Sequence, residues 1–340
     1  MAYVLGGPNN EGDGFTTAIS NFALRAMHES NGLVNFTNVV APTQGQTFLV
    51  PNFAPITYQD YNANGTGGTF GTGNAVVQNP ALGQGTITAT PAVAQTAFDI
   101  FYGWTTSFTL AATLGAELGE SFAEKVDQRV TAAFLSFKAT PSNVYYATSA
   151  DGFQRVLELG AMDLLPEGNA ASSAVAGFTS NEILAMVRNI KQNFKVARMP
   201  GAPVIVLDSN GDDGVVGSSL TRLLGELTGG AVSQSGGSNL SALGNELLAT
   251  GRIESVYGCM IMFTTFLTTA NRTFLGSGPF PCLIGAYFGD SALFTVMKEG
   301  LQLKTGEVPG GLQIWLTGVG YFGSGVGDLR RGGAINIVQA

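Results

Sequence analysis

The sequence predicts an α+β protein, and three observations carry that reading. Residues 30 to 116 hold only two charged side chains, Asp60 and Asp99, and their patterning is that of extended strands. Residues 110 to 134 place an apolar side chain at every fourth position, which marks a helix. The second half alternates helical patterns with short apolar runs that read as buried strands.

Composition sets the frame for these elements. The 340 residues suffice for one large domain or two ordinary ones. Apolar residues make up 45% and charged residues only 12%, against about a quarter in ordinary soluble domains. Such a chain either spans a membrane or buries much of its outside against something else. A spanning helix needs about 20 mostly apolar residues in a row. The best stretch, Thr273 to Gly289, carries two prolines and four glycines, so spanning is not expected. The first fifteen residues show no basic segment followed by an apolar one, so no secretory signal is expected. The net charge is −8, with no basic cluster beyond Arg330-Arg331. That excludes sequence-reading contact with DNA and leaves at most a loose one.

The uncharged stretch comes first in the chain. "QTFLVPNFAPITY" and "GTITATPAVAQTAF" favour strands, and the glycine-dense run between them has no hydrophobic face of its own. Two readings stand: a flexible low-complexity linker, or an arm and long hairpin ordered by lying on neighbouring subunits. The aromatics Phe48, Phe53, Tyr58, Tyr61 and Phe70 favour the second. Charge returns in "AELGESFAEKVDQRVTAAFLSF", residues 116 to 137. Its stripe of Leu110, Leu114, Leu118, Phe122, Val126, Val130 and Phe134 overshoots the helical turn, so it winds around the helix. A helix of that kind serves as a strut with more than one neighbour.

Further on, Thr179-x-x-Glu182 has the form of a capping box. It predicts a helix with Ile183, Leu184, Val187, Ile190 and Phe194 on one side, ended by Pro200 and Pro203. "PVIVLDS" follows as a buried strand, and Ser218 is expected to cap a helix from Leu220 to Leu227. After a Gly/Ser loop comes "ATGRIESVYGCMIMFTT", residues 249 to 265, in which two glycines bracket a hook that feeds a buried strand. A helix is expected around Asp290 to Lys298, and strands in "LQIWLT" and "AINIV".

Catalytic patterns are missing, and no catalytic, cofactor-binding or metal-ligating residue is assigned. His28 is the only histidine, so any Ser-His-Asp or Cys-His site would have to use it. Cys259 and Cys282 sit in apolar strings and read as small buried hydrophobes. "DSNGDDG" starts like a calcium loop, with Asp208, Asn210 and Asp212 in the first three ligand positions. It has Asp213 where glycine is required and Ser219 where the bidentate Glu belongs, so it reads as a turn after a strand. "GVGYFG", residues 318 to 323, fits G-x-G-x-x-G, but no helix pattern follows it. Glu117, Glu120, Glu124 and Asp127, with Lys125 and Arg129, read as a solvated or interface face of the strut helix.

This order of features resembles the major capsid proteins of tailed bacteriophages, the HK97-type fold. Three stretches carry the resemblance. One is "DIFYGWTTSFTLAATLGAELGESFAEKVDQRVTAAF", similar to the family's strand leading into its spine helix. Another is the 249 to 265 stretch, where Gly251, Ile253, Val256, Gly258, Met260, Ile261 and Thr264 track a glycine-apolar outline of the family. The third is "GYFGSGVGDLRRGGAINIV", similar to the closing glycine turn and last strand.

The resemblance implies an α+β, HK97-like capsid fold with N-arm, E-loop, long spine helix, peripheral domain and axial domain. Residues 1–46 would be the N-terminal arm and 47–98 the E-loop. Residues 99–178 would hold the spine helix and the first part of the peripheral domain. Residues 179–310 would form the axial domain and 311–340 the return strand of the peripheral domain. It implies a structural protein, not an enzyme. Hexamers and pentamers of this chain would form an icosahedral shell around a double-stranded DNA genome, assembled in the host cytoplasm and kept in the virion. A separate scaffolding protein, a portal and a cement protein are the implied partners; no cofactor, metal or membrane is. The E-loop region has no lysine between residues 30 and 116, so a Lys–Asn cross-link from it is not expected. An encapsulin-type nanocompartment shell, which encloses a protein cargo, is the alternative with the same fold. An enzyme with a β-rich lid and a surface adhesin fit less well.

Overall fold

A computed structural model describes residues 32–42, 45–53, 82–99, 108–140, 146–148, 154–156, 159–165, 179–180, 182–197, 199–209, 219–220, 222–223, 226–227, 252–274, 277–307 and 313–338. The chain divides into two units. One gathers Met1–Leu49, Thr86–Ala132 and Phe294–Gly325; the other gathers Val50–Gly85, Ala133–Leu293 and Val326–Ala340.

The first unit is a long helix on a four-stranded sheet. The helix α1 runs Phe108–Ala133, over most of the expected strut. The sheet contains β1 (Asn38–Val40), β4 (Thr90–Asp99), β14 (Leu293–Glu307) and β15 (Gln313–Val326), in the order β1-β14-β15-β4. Strand β4 pairs antiparallel with β15 from Gln313↔Asp99 to Phe322↔Thr90, and among the described residues it is the edge strand of the sheet. The strands β2 (Thr47–Phe53) and β3 (Leu82–Thr88) pair as a two-stranded sheet, within the stretches read as extended. The expected positions Tyr58, Tyr61 and Phe70 lie outside the described residues.

Helix and sheet meet through Val34, Phe122, Ala123, Val126 and Phe322, with Ala92 and Leu301 packed against them. Phe122 and Phe322 make an edge-to-face pair at 5.1 Å. The winding stripe buries Phe122, Val126 and Val130, while Leu114 and Leu118 stay partly open. The "GVGYFG" run lies inside β15, so its glycines serve packing and no nucleotide turn. A Cβ on Gly320 would overlap the Phe122 ring, and one on Gly323 would overlap the Thr88 carbonyl. Glycine is what lets the helix and the end of β3 close on this strand.

One expectation fails in this sheet. The sequence predicts a helix around Asp290 to Lys298, and the larger part of that stretch is the start of β14. Thr295 and Val296 are fully buried, in parallel register with Val39 and Val40. The Thr295 hydroxyl bonds those of Thr37, at 2.8 Å, and Ser324, at 3.2 Å. Distant partners and β-branched side chains outweigh the helix-forming Met297-Lys298-Glu299.

The second unit is built on an eight-stranded sheet. Its strands are β7 (Met162–Leu164), β8 (Thr179–Ser180), β9 (Val204–Asp208), β10 (Arg252–Val256), β11 (Cys259–Thr264), β12 (Thr268–Phe274), β13 (Ser277–Phe288) and β16 (Gly332–Val338). The order is β10-β11-β9-β13-β16-β7-β8, with β12 pairing β13 as a hairpin. A ribbon of β5 (Tyr146–Thr148) and β6 (Gln154–Val156) stands apart from this sheet. All seven residues of β16 are buried, as expected of a central strand covered on both faces. The stretch Thr273 to Gly289, considered above for a membrane, is mostly β13; no described helix is long and apolar enough to cross one.

The helix α2 (Ile183–Val196) buries Ile183, Met186, Val187, Ile190 and Phe194. Leu184, expected on that face, is only half-buried, and Met186 takes its place. The capping box is also corrected. Thr179 belongs to β8, and Glu182, at the N-cap, makes no side-chain cap bond. Instead Glu226 accepts from the backbone N–H of Ile183 at 2.7 Å and of Leu184 at 2.8 Å. A carboxylate there satisfies two orphan donors and faces the positive end of the helix dipole. Residues 219–220, 222–223 and 226–227 are helical, whereas the expected cap Ser218 lies outside the described residues.

Candidate functional site

The residues singled out for chemistry are dispersed. Cys259 and Cys282 are free and fully buried, in β11 and β13. Burial pushes both thiols up to about 11, so they stay protonated and pack as small hydrophobes. Asp208 ends β9, buried, and accepts from the hydroxyl and backbone N–H of Ser219. Burial raises its pKa while those bonds lower it. Ser219, in the glutamate position of the calcium pattern, thus holds the first carboxylate itself. Asn210, Asp212 and His28 lie outside the described residues. No group of three His, Cys, Asp or Glu among the described residues is placed to hold a metal.

The charged cluster of α1 splits into two classes. Glu117, Glu120 and Glu124 are exposed, as expected of a solvated face. Asp127 and Arg129 are not part of that face, which corrects the reading of them. Arg129 donates from Nη1 to the carbonyls of Thr90, at 2.8 Å, and Phe322, and from Nη2 to that of Pro91 at 3.1 Å. Its guanidinium carbon stands 4.1 Å from the Phe322 ring centre. One side chain therefore ties the helix to β4 and β15 at once, using the planar fork that lysine lacks. Partial burial lowers its pKa, and it remains a cation.

Asp127 accepts from the backbone N–H of Leu33 at 3.3 Å. Burial raises its carboxyl to about 6, against the lowering effect of backbone donors at Gly32, Leu33 and Val34. It holds the short 3₁₀ turn Leu33–Phe36 onto the helix. The signal for both roles was readable. Residues two apart on a helix face different ways, so Asp127 and Arg129 could not share one solvated face. Beside Arg129, a cleft of about 360 Å³ opens between α1 and β4, lined by Ala92, Leu118, Phe122, Lys125 and Leu301 among others.

The third feature is the hook in residues 249 to 265. Val256 pairs with Cys259, so Tyr257 and Gly258 form a two-residue hairpin turn. Both have positive φ, 51° and 73°, which defines the type I′ turn. Gly258 suits this conformation, and Lys191 Nζ lies 3.2 Å from where its Cβ would be. Tyr257 does not suit it; a left-handed backbone costs a side chain of its size about 1–2 kcal/mol. The tyrosine is also 56% exposed.

No family model matches the chain, and no curated protein matches its sequence. Solved structures do match. The capsid of cyanophage P-SCSP1u is 15% identical with a TM-score of 0.59, covering 90% of this chain and 87% of that one. The mature capsid of bacteriophage PhiM1 is 15% identical with a TM-score of 0.56 and the same coverage. The virus-like particle of Pyrococcus furiosus is 13% identical with a TM-score of 0.51, covering 96% of this chain and 99% of that one.

The fold is the HK97-type capsid fold. At these identities the likeness establishes architecture and no individual residue. Within the HK97-type fold, α1 with its four-stranded sheet and the eight-stranded sheet with α2 are the two built regions. Their polar side chains fasten backbone segments, and none of those described forms a catalytic constellation.

Proposed function

We propose that this chain is the major capsid protein of a tailed bacteriophage. It self-assembles as hexamers and pentamers into the icosahedral shell around a double-stranded DNA genome. The carrying observation is that phage capsid structures match about nine-tenths of the chain, both units included. The physics supports the same reading. A shell subunit buries its flanks against copies of itself, so 12% charged residues suffice. Closed symmetry then adds many modest interfaces into one stable particle.

On this reading residues 1–46 are the N-terminal arm and 47–98 the E-loop, whose base is the β2–β3 sheet. Residues 99–178 hold α1, the spine helix, and the first part of the peripheral domain. Residues 179–310, which include α2, are the axial domain. Residues 311–340 are the return strand of the peripheral domain, and β16 within them pairs with β13 and β7. The role is structural and not enzymatic. A separate scaffolding protein, a portal and a cement protein are the partners, and contact with the packaged DNA is loose. The protein resides in the virion after assembly in the host cytoplasm.

The Pyrococcus furiosus particle keeps a second reading, a compartment around protein cargo, and its coverage of both chains favours it. The phage structures superpose better, and the first reading stands on them. Electron microscopy of the expressed chain, with and without a scaffolding partner, tests both. Shells that package DNA support the capsid. Shells filled with protein support the compartment. Absence of shells and of capsomer-sized rings sinks both.

A further inference from the structure

We propose that Tyr257, at the tip of the β10–β11 hairpin, is an intersubunit contact that inserts into a second copy of this chain. The inference rests on the shell reading and names one surface within it.

The turn itself calls for another residue. A two-residue I′ turn with both φ positive favours Asn or Asp followed by Gly. Position 258 obeys that rule and position 257 breaks it with a bulky aromatic. Nothing within the described chain compensates. Among the described residues, Tyr257 has no hydrogen bond, ion pair or ring partner, and more than half of its surface is open. A strained backbone that persists under an exposed aromatic marks a side chain kept for a contact outside its own subunit. Tyrosine is also the side chain that interface centres favour, with a flat apolar body and a phenol tip.

The partner follows from the same observations. The tip is rigid, because Val256 and Cys259, both buried, anchor the two ends of the turn. Lys191 lies against Gly258 and gives the base of the knob a positive charge. A chain with net charge −8 offers acidic complements to that base on every other copy. A second copy is therefore the occupant to which the chemistry points.

The test uses the full-length chain and separates strain from contact. Tyr257→Asn restores the residue that the turn favours. Below the assembly concentration, its thermal midpoint is expected to rise by about 1–3 °C. The concentration needed to form shells, read by light scattering and electron microscopy, is expected to rise at least tenfold. Tyr257→Phe keeps the ring and is expected to assemble within about threefold of the unmodified chain. An Asn variant that assembles at the unmodified concentration overturns the contact and leaves the shell reading intact. An Asn variant with a lower thermal midpoint overturns the strain argument. A Phe variant as impaired as Asn overturns the ring contact. An unmodified chain that never assembles overturns the shell reading, and this contact with it.

Discussion

The two units solve the same problem, holding a helix to a sheet, by different means. In the larger one, α2 lays Ile183, Met186, Val187, Ile190 and Phe194 against strands that are themselves buried. Phe194 meets Tyr287 edge to face at 6.0 Å, and Tyr287 donates its hydroxyl to the Gly160 carbonyl. In the smaller one, the apolar contact is brief and centred on Phe122 and Phe322. There Arg129 and Asp127 reach past it to bond backbone. The contrast teaches where each unit is stiff. Apolar burial is non-directional and tolerates small shifts, whereas a planar fork on three carbonyls fixes one strand register.

The largest expected effect falls on the apolar side of that contrast. Tyr287→Ala empties a site with no exposure, bounded by Phe194 and Gly333. It is expected to cost about 3–5 kcal/mol in chemical denaturation of the unassembled chain. A loss below about 1 kcal/mol would mean that burial is not what holds the larger sheet.

A smaller effect is expected on the polar side. Arg129→Met keeps an apolar stem over Phe322 and removes the donors to Thr90, Pro91 and Phe322. A cost of about 1–3 kcal/mol is expected, because some of these carbonyls can turn to water. Arg129→Lys should recover less than half of it, since one ammonium cannot span three carbonyls. Hydrogen exchange localises the loss: faster exchange along the β4–β15 ladder is the expected result. Unchanged exchange there would show that Arg129 does not fix the register.

How much of this was readable follows the range of the interactions. The strut helix, β9 and β16 were legible because a periodic or continuous apolar pattern lies within each segment. Strand β14 was not, because its state depends on pairing with β15 and with β1, hundreds of residues away in sequence. The cap on α2 was placed on Thr179 and Glu182 by spacing, yet Glu226 supplies it from 43 residues downstream of Ile183. The hook around Gly258 was legible as shape. The cost of a tyrosine at position 257 shows only once its φ is known.

The finest distinction concerns two buried carboxyls, one in each unit. Burial raises both Asp127 and Asp163 from 3.8 to about 6. A carboxyl raised in the folded state contributes stability that is complete below about pH 4 and lost as pH rises through about 6. A shift of this size corresponds to about 3 kcal/mol in full, and about 1–2 kcal/mol is expected after residual solvation. Asp163 accepts from one partner, Asn336 Nδ2 at 2.8 Å, which an amide oxygen serves as well. Asp163→Asn should therefore match the unmodified chain at pH 4 and exceed its stability by about 1–2 kcal/mol at pH 7. Asp127 faces the donors of Leu33, Gly32 and Val34, more than one amide oxygen can serve. Asp127→Asn should show the same slope with pH but start lower at pH 4. Parallel curves with different intercepts would separate the roles, one carboxyl a buried liability and the other a backbone anchor. Coincident curves would erase the distinction between the two units at this level.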